Sequence, residues 1–252
     1  LSGMLATMQR ITPVIITFHG SDVNLKKNYF FSRLASRLSA ANIFVHPKLA
    51  LDLKIFSKIN NIIPCGIDTK TFYPISKSQA RKKLNWKQNL NYILFSSSFE
   101  NKIKNVSLAK SALKDFRDTE LIELKGFQKA EINLMLNASD MVLVTSFSET
   151  GPIIVKEALA CNCPIVSTDV GDVKKIIKNI NNCYLTDYDP INISEIIKKV
   201  IKLDIRSNGE KTAKKFDLNK IGKRVFKVYQ RVLSKNQNII KENYPDSLNH
   251  FS

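Results

Sequence analysis

The most chemically pointed part of the chain is a pair of glutamates set around a glycine. Residues 140–172 read DMVLVTSFSETGPIIVKEALACNCPIVSTDVGD. An apolar run, a short polar stretch, a helix-forming stretch and a second β-branched run follow in turn, as strand, loop, helix and strand would. Ligands of open α/β sheets bind beyond the carboxyl ends of strands, and the loop 145–151 falls at such an end. Pro152 suits the first position of a helix. The free N–H groups of that first turn, Ile153 included, and the helix dipole together favour an anion. Gly151, next to Thr150, lets a phosphate come close to the backbone. Glu149 in the loop can accept hydrogen bonds from a hydroxylated ligand, and Glu157, eight positions further along with seven residues between, can accept two hydroxyls of a ribose. Taken singly, Glu149 also reads as a helix N-terminal charge worth ~0.3–1 kcal/mol, and Glu157 as a solvated helix residue.

Other reactive groups are scattered. His19 follows a strand-like run and precedes Gly20, and Asp22 reads as a cap of the next segment. The histidines at 19, 46 and 250 and the cysteines at 65, 161, 163 and 183 lack the spacing of a metal site, so no metal is expected. Cys161 and Cys163 fit small buried positions at a helix–strand turn.

The elements that must position these groups alternate. Short apolar runs at 14–18, 43–45, 61–63, 92–95, 141–144 and 165–167 read as buried strands. Amphipathic stretches at 30–38, 48–56, 78–84, 107–116, 129–137 and 152–160 read as helices between them. Strand then helix, repeated, is the pattern of a parallel sheet covered on both faces. Three closing helices are expected at 193–203, 209–216 and 218–233. The Pro64–Gly66 and Phe72–Pro74 region marks a boundary. It divides the chain into 1–73, an incomplete first domain with about three strands, a second domain at 74–235, and a polar tail at 236–252.

Of the 252 residues, 44 % are hydrophobic, enough for a sizeable core and against a disordered chain. No apolar run approaches the ~20 residues that span a bilayer. The net charge of +17 invites phosphates, nucleic acid or an anionic membrane. It is uneven: residues 193–235 hold 13 Lys/Arg against 4 Asp/Glu.

The stretches Ser146-Phe147-Ser148-Glu149-Thr150-Gly151-Pro152, Glu157-Ala158-Leu159-Ala160-Cys161 and Pro164-Ile165-Val166-Ser167-Thr168-Asp169-Val170-Gly171 resemble those of the family 4 glycosyltransferases. So do Thr17-Phe18-His19-Gly20-Ser21-Asp22, the segment from Ile62 to Asp68 with Phe72 and Pro74, and Ile93-Leu94-Phe95 with Lys104-Asn105. The resemblance implies a GT-B fold of two Rossmann-like domains with parallel sheets, the first of them incomplete through N-terminal truncation. It implies transfer of a sugar, with retained configuration, from a nucleotide-diphosphate sugar to a glycan or lipid-linked acceptor. The nucleotide sugar is a substrate, and neither cofactor nor metal is implied. By position, Glu157 would hold the donor ribose and Glu149 the donor sugar. The amides around Thr150, Gly151, Pro152 and Ile153 would face the sugar and diphosphate. Lys104 would neutralise the leaving diphosphate, and His19 would approach the sugar from the other domain. The family's arginine six residues before that lysine is Ser98 here, with Lys102 as a substitute point charge; a common family glutamate falls at Lys175. The expected setting is cytoplasmic, with peripheral contact at an anionic membrane face. Two rival readings stand beside it: an inactive nucleotide-sugar-binding homologue, and a basic nucleic-acid-binding protein.

Overall fold

Along β4 (Asn91–Phe95), neighbouring side chains enter different cores. Ile93 and Phe95 join one buried cluster and Leu94 the other. This two-residue period means that both faces of the strand are covered, so it reads as a continuous apolar run. A computed structural model of the protein describes residues 2–24, 26–55 and 60–243. The helix expected at 48–56 stops at Asp52, with Leu53 as its C-cap, and residue 56 and the tail beyond 243 lie outside the described residues.

The chain divides into two compact units, 1–64 with 219–252, and 65–218. The first contains α1 (Ser2–Met8), β1 (Ile15–Phe18), α2 (Ser21–Asn24), α3 (Lys26–Leu38), β2 (Ala41–Phe44), α4 (Pro47–Asp52) and β3 (Asn60–Ile62). Its three strands are parallel in the order β1-β2-β3. His46 caps α4 by accepting from the Lys48 N–H at 3.2 Å.

The second unit begins with α5 (Lys77–Lys83), then β4. It continues with α6 (Val106–Ala112), β5 (Thr119–Glu123), α7 (Lys129–Ala138), β6 (Met141–Val144), α8 (Ile153–Ala160), β7 (Ile165–Thr168), α9 (Val173–Ile177) and β8 (Cys183–Thr186). It closes with α10 (Pro190–Leu203) and α11 (Glu210–Ala213). The five strands are all parallel, in the order β5-β4-β6-β7-β8. One core packs Leu94, Val142, Val144 and Ile165 against α7, α8 and α9; the other packs Ile93, Phe95, Met141, Leu143 and Val166 against α6 and α10. The α/β class with Rossmann-like parallel sheets, and three strands in the first part, agree with the sequence reading.

Several expectations are corrected. β5 and β8 were not among the expected strands. They are the two edge strands, half-buried, and carry polar residues such as Glu120, Glu123 and Thr186, so neither gives an apolar run. The helix expected at 107–116 stops at Ala112, and that at 209–216 is α11 followed by a 3₁₀ turn. The boundary at 73/74 moves to 64/65, because Ile67 and Phe72 are core residues of the second unit. The last helix, α12 (Leu218–Asn243), returns to the first unit: Ile221 and Val228, flanked by Val225 and Val232, pack with Ala41, Ile43 and Ile63. Hence 219–235 leaves the second domain, and 236–243 continues the helix. Where the chain crosses between units its two strands meet: the Ile67 N–H donates to Phe216 O and the Leu218 N–H to Ile67 O.

Asp140, which opens β6, fastens this unit. It accepts from Arg81 Nη2 at 2.9 Å and from the Tyr92 N–H at 2.6 Å, and pairs with Lys77 at 2.6 Å. Arg81 also donates to Ala138 O and Gln88 O, so α5 is tied to both β4 and β6. Trp86 stacks on Tyr92 beside it, with ring centroids 4.3 Å apart. With both partners about 95 % buried, Arg81→Met is expected to cost about 3–5 kcal/mol, read as a lower urea midpoint with an unchanged slope.

Candidate active site

The strand order reverses between β4 and β6. From β4 the chain crosses to β5 on one side; from β6 it crosses to β7 on the other. The chains that continue beyond the loops of β4 and β6 therefore run to opposite sides of the sheet, and the carboxyl ends of these two strands are where such a sheet forms a ligand crevice. Lys104 leaves β4 on one bank and Glu149 leaves β6 on the other.

Local chemistry fixes each bank. Lys104 ends a 3₁₀ turn, Lys102–Lys104, whose start is capped by Asn101 Oδ1 accepting from the Ile103 N–H at 3.2 Å. Asn105 closes the turn in the left-handed region at φ 57°, which asparagine tolerates better than most residues. The Thr145 hydroxyl lies 2.9 Å from the carbonyls of both Lys104 and Asn105, and the Phe147 N–H donates to Ile103 O at 2.9 Å. The two loops thus form one hydrogen-bonded piece. Lys104 Nζ reaches Glu149 Oε1 at 2.5 Å, and the Ser146 hydroxyl donates to the same oxygen at 2.8 Å. Both charged side chains are mostly shielded, at 17 % and 14 % exposure. An ammonium has three N–H donors; one is spent on Glu149, and two remain for an anion in the crevice. Among the described residues, Glu149 Oε2 accepts no hydrogen bond.

The Glu149 loop leads into α8. Pro152 has φ −63° and ψ 120° and is the N-cap, not the first helical residue as expected; Ile153 takes that place and is exposed. The fixed proline φ fits either position, and the extended ψ decides it. Gly151 has no positive φ. Its requirement is space, since a Cβ there would sit 3.3 Å from both carboxylate oxygens of Asp172. Gly171 does need its conformation, φ 57°, and a Cβ would lie 2.9 Å from Thr150 O. The β7 loop is thereby pressed against the Glu149–Gly151 turn from below. Lys156, 1 % exposed, supports the same turn from within α8: its Nζ lies 3.6 Å from Asp172 and 4.9 Å from the centre of the Phe216 ring.

Glu157 lies on α8, and among the described residues its carboxylate accepts no hydrogen bond. Burial pushes its carboxyl up to about 7, with Lys129 opposing the shift. Such a group gains from a ligand that brings hydroxyl donors.

The remaining expected residues separate. Lys102 is exposed in the same turn as Lys104. His19 is exposed at the carboxyl end of β1, in the first unit; its N–H donates to Asp22 at 3.0 Å, so Asp22, in the first turn of α2, reaches back to the preceding loop. Ser98 does not stand in for a cation. With the Phe99 N–H, which donates at 2.6 Å, it holds Glu123 and keeps that carboxyl below the usual range. Cys161 and Cys163 are fully buried, and burial pushes the Cys163 thiol up to about 11. Among the described residues no group of three His, Cys, Asp or Glu side chains could hold a metal ion, and no helix is long and apolar enough to cross a membrane.

Sequence reasoning gave no role to Ser146, Thr145, Lys156, Asp172, Glu123 or Tyr188. Ser146 and Thr145 sat within the quoted motif, and their spacing to Glu149 was the available signal. Lys156, Asp172 and Tyr188 gave none, because their partners come from other loops.

Residues 119–223 match the family Glycosyl transferases group 1. The chain is 23 % identical, over 87 % of its length and 64 % of the relative's, to TuaC of Bacillus subtilis, assigned as a teichuronic acid biosynthesis glycosyltransferase. It is 25 % identical, over 70 % of its length and 55 % of the relative's, to N,N'-diacetylbacillosaminyl-diphospho-undecaprenol alpha-1,3-N-acetylgalactosaminyltransferase of Campylobacter jejuni. It thus spans about half to two thirds of the length of these two relatives. Among solved structures, Anabaena HepE in complex with UDP and glucose superposes with a TM-score of 0.77 at 17 % identity, covering 90 % of this chain and 74 % of HepE. The fold is Rossmann-like, of the GT-B kind, and the family match and named relatives support a glycosyltransferase.

The Glu157 shift has a measurable consequence. Below about pH 4.5 the carboxyl is protonated in folded and unfolded chains alike. Between there and about 7 the unfolded chain loses the proton while the folded chain keeps it, so stability falls as pH rises and levels off above. Glu157→Gln is expected to be more stable than the parent by about 1–3 kcal/mol near pH 8 and indistinguishable from it near pH 4, by urea denaturation at both.

Proposed function

We propose that this chain carries the donor site of a retaining glycosyltransferase, which moves a sugar from a nucleotide-diphosphate sugar to a glycan or lipid-linked acceptor. The observation that carries the reading is the Lys104–Glu149 contact at the β4/β6 reversal, immediately before the first turn of α8. The UDP complex of HepE makes uridine diphosphate the first nucleotide to test. The relatives' names, one from polysaccharide biosynthesis and one for a diphospho-undecaprenol acceptor, support the acceptor class.

The chemistry follows from the charges. Breaking the bond between the anomeric carbon and the diphosphate oxygen leaves the electron pair, and negative charge, on that oxygen. The two free N–H donors of Lys104 and the first-turn amides of α8 stabilise it. Positive charge develops on the anomeric carbon, beside the Glu149 carboxylate. The acceptor hydroxyl attacks on the face the diphosphate leaves, and a diphosphate oxygen takes its proton, so configuration is retained. Glu149 acts by hydrogen bonding and charge, with Oε2 open to a sugar hydroxyl, and forms no covalent intermediate. Glu157 accepts the ribose hydroxyls. Thr150, Gly151, Pro152 and Ile153 line the turn that faces the diphosphate and sugar, and Lys102 adds charge at its rim. Cationic stabilisation by Lys104 and α8 makes the reaction metal-independent. The setting is the cytoplasm, at an anionic membrane face when the acceptor is lipid-linked.

Three outcomes are expected. Lys104→Ala lowers the transfer rate by about 10²–10³ and leaves the acceptor KM within about twofold; an unchanged rate removes Lys104 from the mechanism. Transfer persists in EDTA. UDP affinity by calorimetry rises as pH increases through about 7, because the ionised Glu157 carboxylate accepts more strongly, and Glu157→Gln binds UDP more weakly with no such rise. UDP binding without turnover for any sugar donor would instead favour a non-catalytic homologue.

A further inference from the structure

Two aromatic rings stand open to solvent at the mouth of this crevice. Phe147, two residues before Glu149, is 60 % exposed, and Tyr188, in the loop after β8, is 46 % exposed. They stack on one another with centroids 5.7 Å apart and planes 20° from parallel. Both are anchored from behind. The Phe147 N–H donates to Ile103 O, and the Tyr188 hydroxyl donates to Ser146 O at 3.0 Å. Ser146 in turn holds Glu149. The rings are therefore pre-positioned and coupled to the candidate catalytic carboxylate.

Their surroundings narrow what they could bind. In a chain of net charge +17, lysine or arginine groups lie over the rings of Tyr92, Phe99, Phe116, Tyr184 and Phe216. Among the described residues none lies over Phe147 or Tyr188, so a neutral ring approaching the pair displaces no stacked cation. Its open area is roughly 200 Å², far below the ~800 Å² per partner of a stable protein interface. That area suits one sugar ring. The C–H bonds on one face of a pyranose form an apolar, weakly positive surface that complements the negative face of an aromatic ring. Tyr188 follows the edge strand β8 and meets the β6 loop across β7, so a saccharide lying on the pair can run off that edge of the sheet, whereas Glu157 stands on α8.

We infer that Phe147 and Tyr188 form a stacking platform for a sugar ring of the acceptor. This deepens the glycosyltransferase reading and rests on it for the word acceptor.

The test is saturation-transfer NMR on the full chain, with methyl glycosides of glucose, galactose, mannose, N-acetylglucosamine and N-acetylgalactosamine as probes, alongside calorimetry with UDP and UDP-glucose. Saturation is expected to reach the ring C–H protons of at least one glycoside. Phe147→Ala and Tyr188→Ala are each expected to weaken that glycoside by about three- to tenfold, while Phe147→Tyr and Tyr188→Phe, which keep the rings, retain it. UDP and UDP-glucose affinities stay unchanged throughout. The proposal is overturned if no glycoside binds the parent, if the alanine variants bind glycosides like the parent, or if they weaken UDP-glucose but not UDP, which would put the rings on the donor sugar. Ring-dependent glycoside binding with no UDP binding by the parent would keep the carbohydrate platform and overturn both its acceptor role and the transferase reading.

Discussion

A lysine 45 residues upstream of a glutamate meets it at 2.5 Å because β4 and β6 are neighbours in the sheet while β5 is not between them. That placement is the constraint on which the site depends. Had the strands followed chain order, the loop bearing Lys104 and the loop bearing Glu149 would be separated by a strand, ~9–10 Å at the usual spacing. The reversal brings them together and parts their continuing chains, which makes room for a ligand. The ion pair is also a statement about charge. The Glu149 carboxylate, itself held by the Ser146 hydroxyl, fixes the Lys104 ammonium between the two loops.

The support beneath the crevice is polar and buried: Asp172 Oδ2 pairs with Lys156, while Asp172 Oδ1 has no hydrogen-bond partner among the described residues. Lys156 and Asp172 lie under the Gly151 turn, with Gly171 pressed to the backbone of Thr150. These contacts hold the turn from a second loop and make its shape a property of β7 as well as of β6. Glu157 is half-buried without a hydrogen-bond donor among the described residues, and its carboxyl stands at about 7. A buried carboxyl that destabilises the fold above that pH and meets no donor there is a candidate for ligand contact.

The charge excess has a different logic. Much of it lies on α10–α12, where the apolar stripe Ile221, Val225, Val228 and Val232 faces the first unit's sheet and lysines occupy the exposed positions. Other cations spread over aromatic rings. Lys104 is set apart from this excess by its pairing with Glu149.

The sequence by itself determined the α/β class, the central strands, and the loop–helix unit that carries Glu149 and Glu157, because buried strands must be apolar on both faces and a helix start leaves N–H groups unpaired whatever surrounds it. It could not determine β5 or β8, since an edge strand is apolar on one side only and Thr119–Glu123 looks like a loop until β4 is beside it. Nor could it give the partners of Asp172, Lys156 or Tyr188, or the return of α12 to the first unit. Those follow from which strands are neighbours and which loops touch. Periodicity is a property of single segments, whereas the pairing of Lys104 with Glu149, of Gly171 with Thr150 and of Phe147 with Tyr188 exists only between segments, and tertiary packing alone brings them within reach.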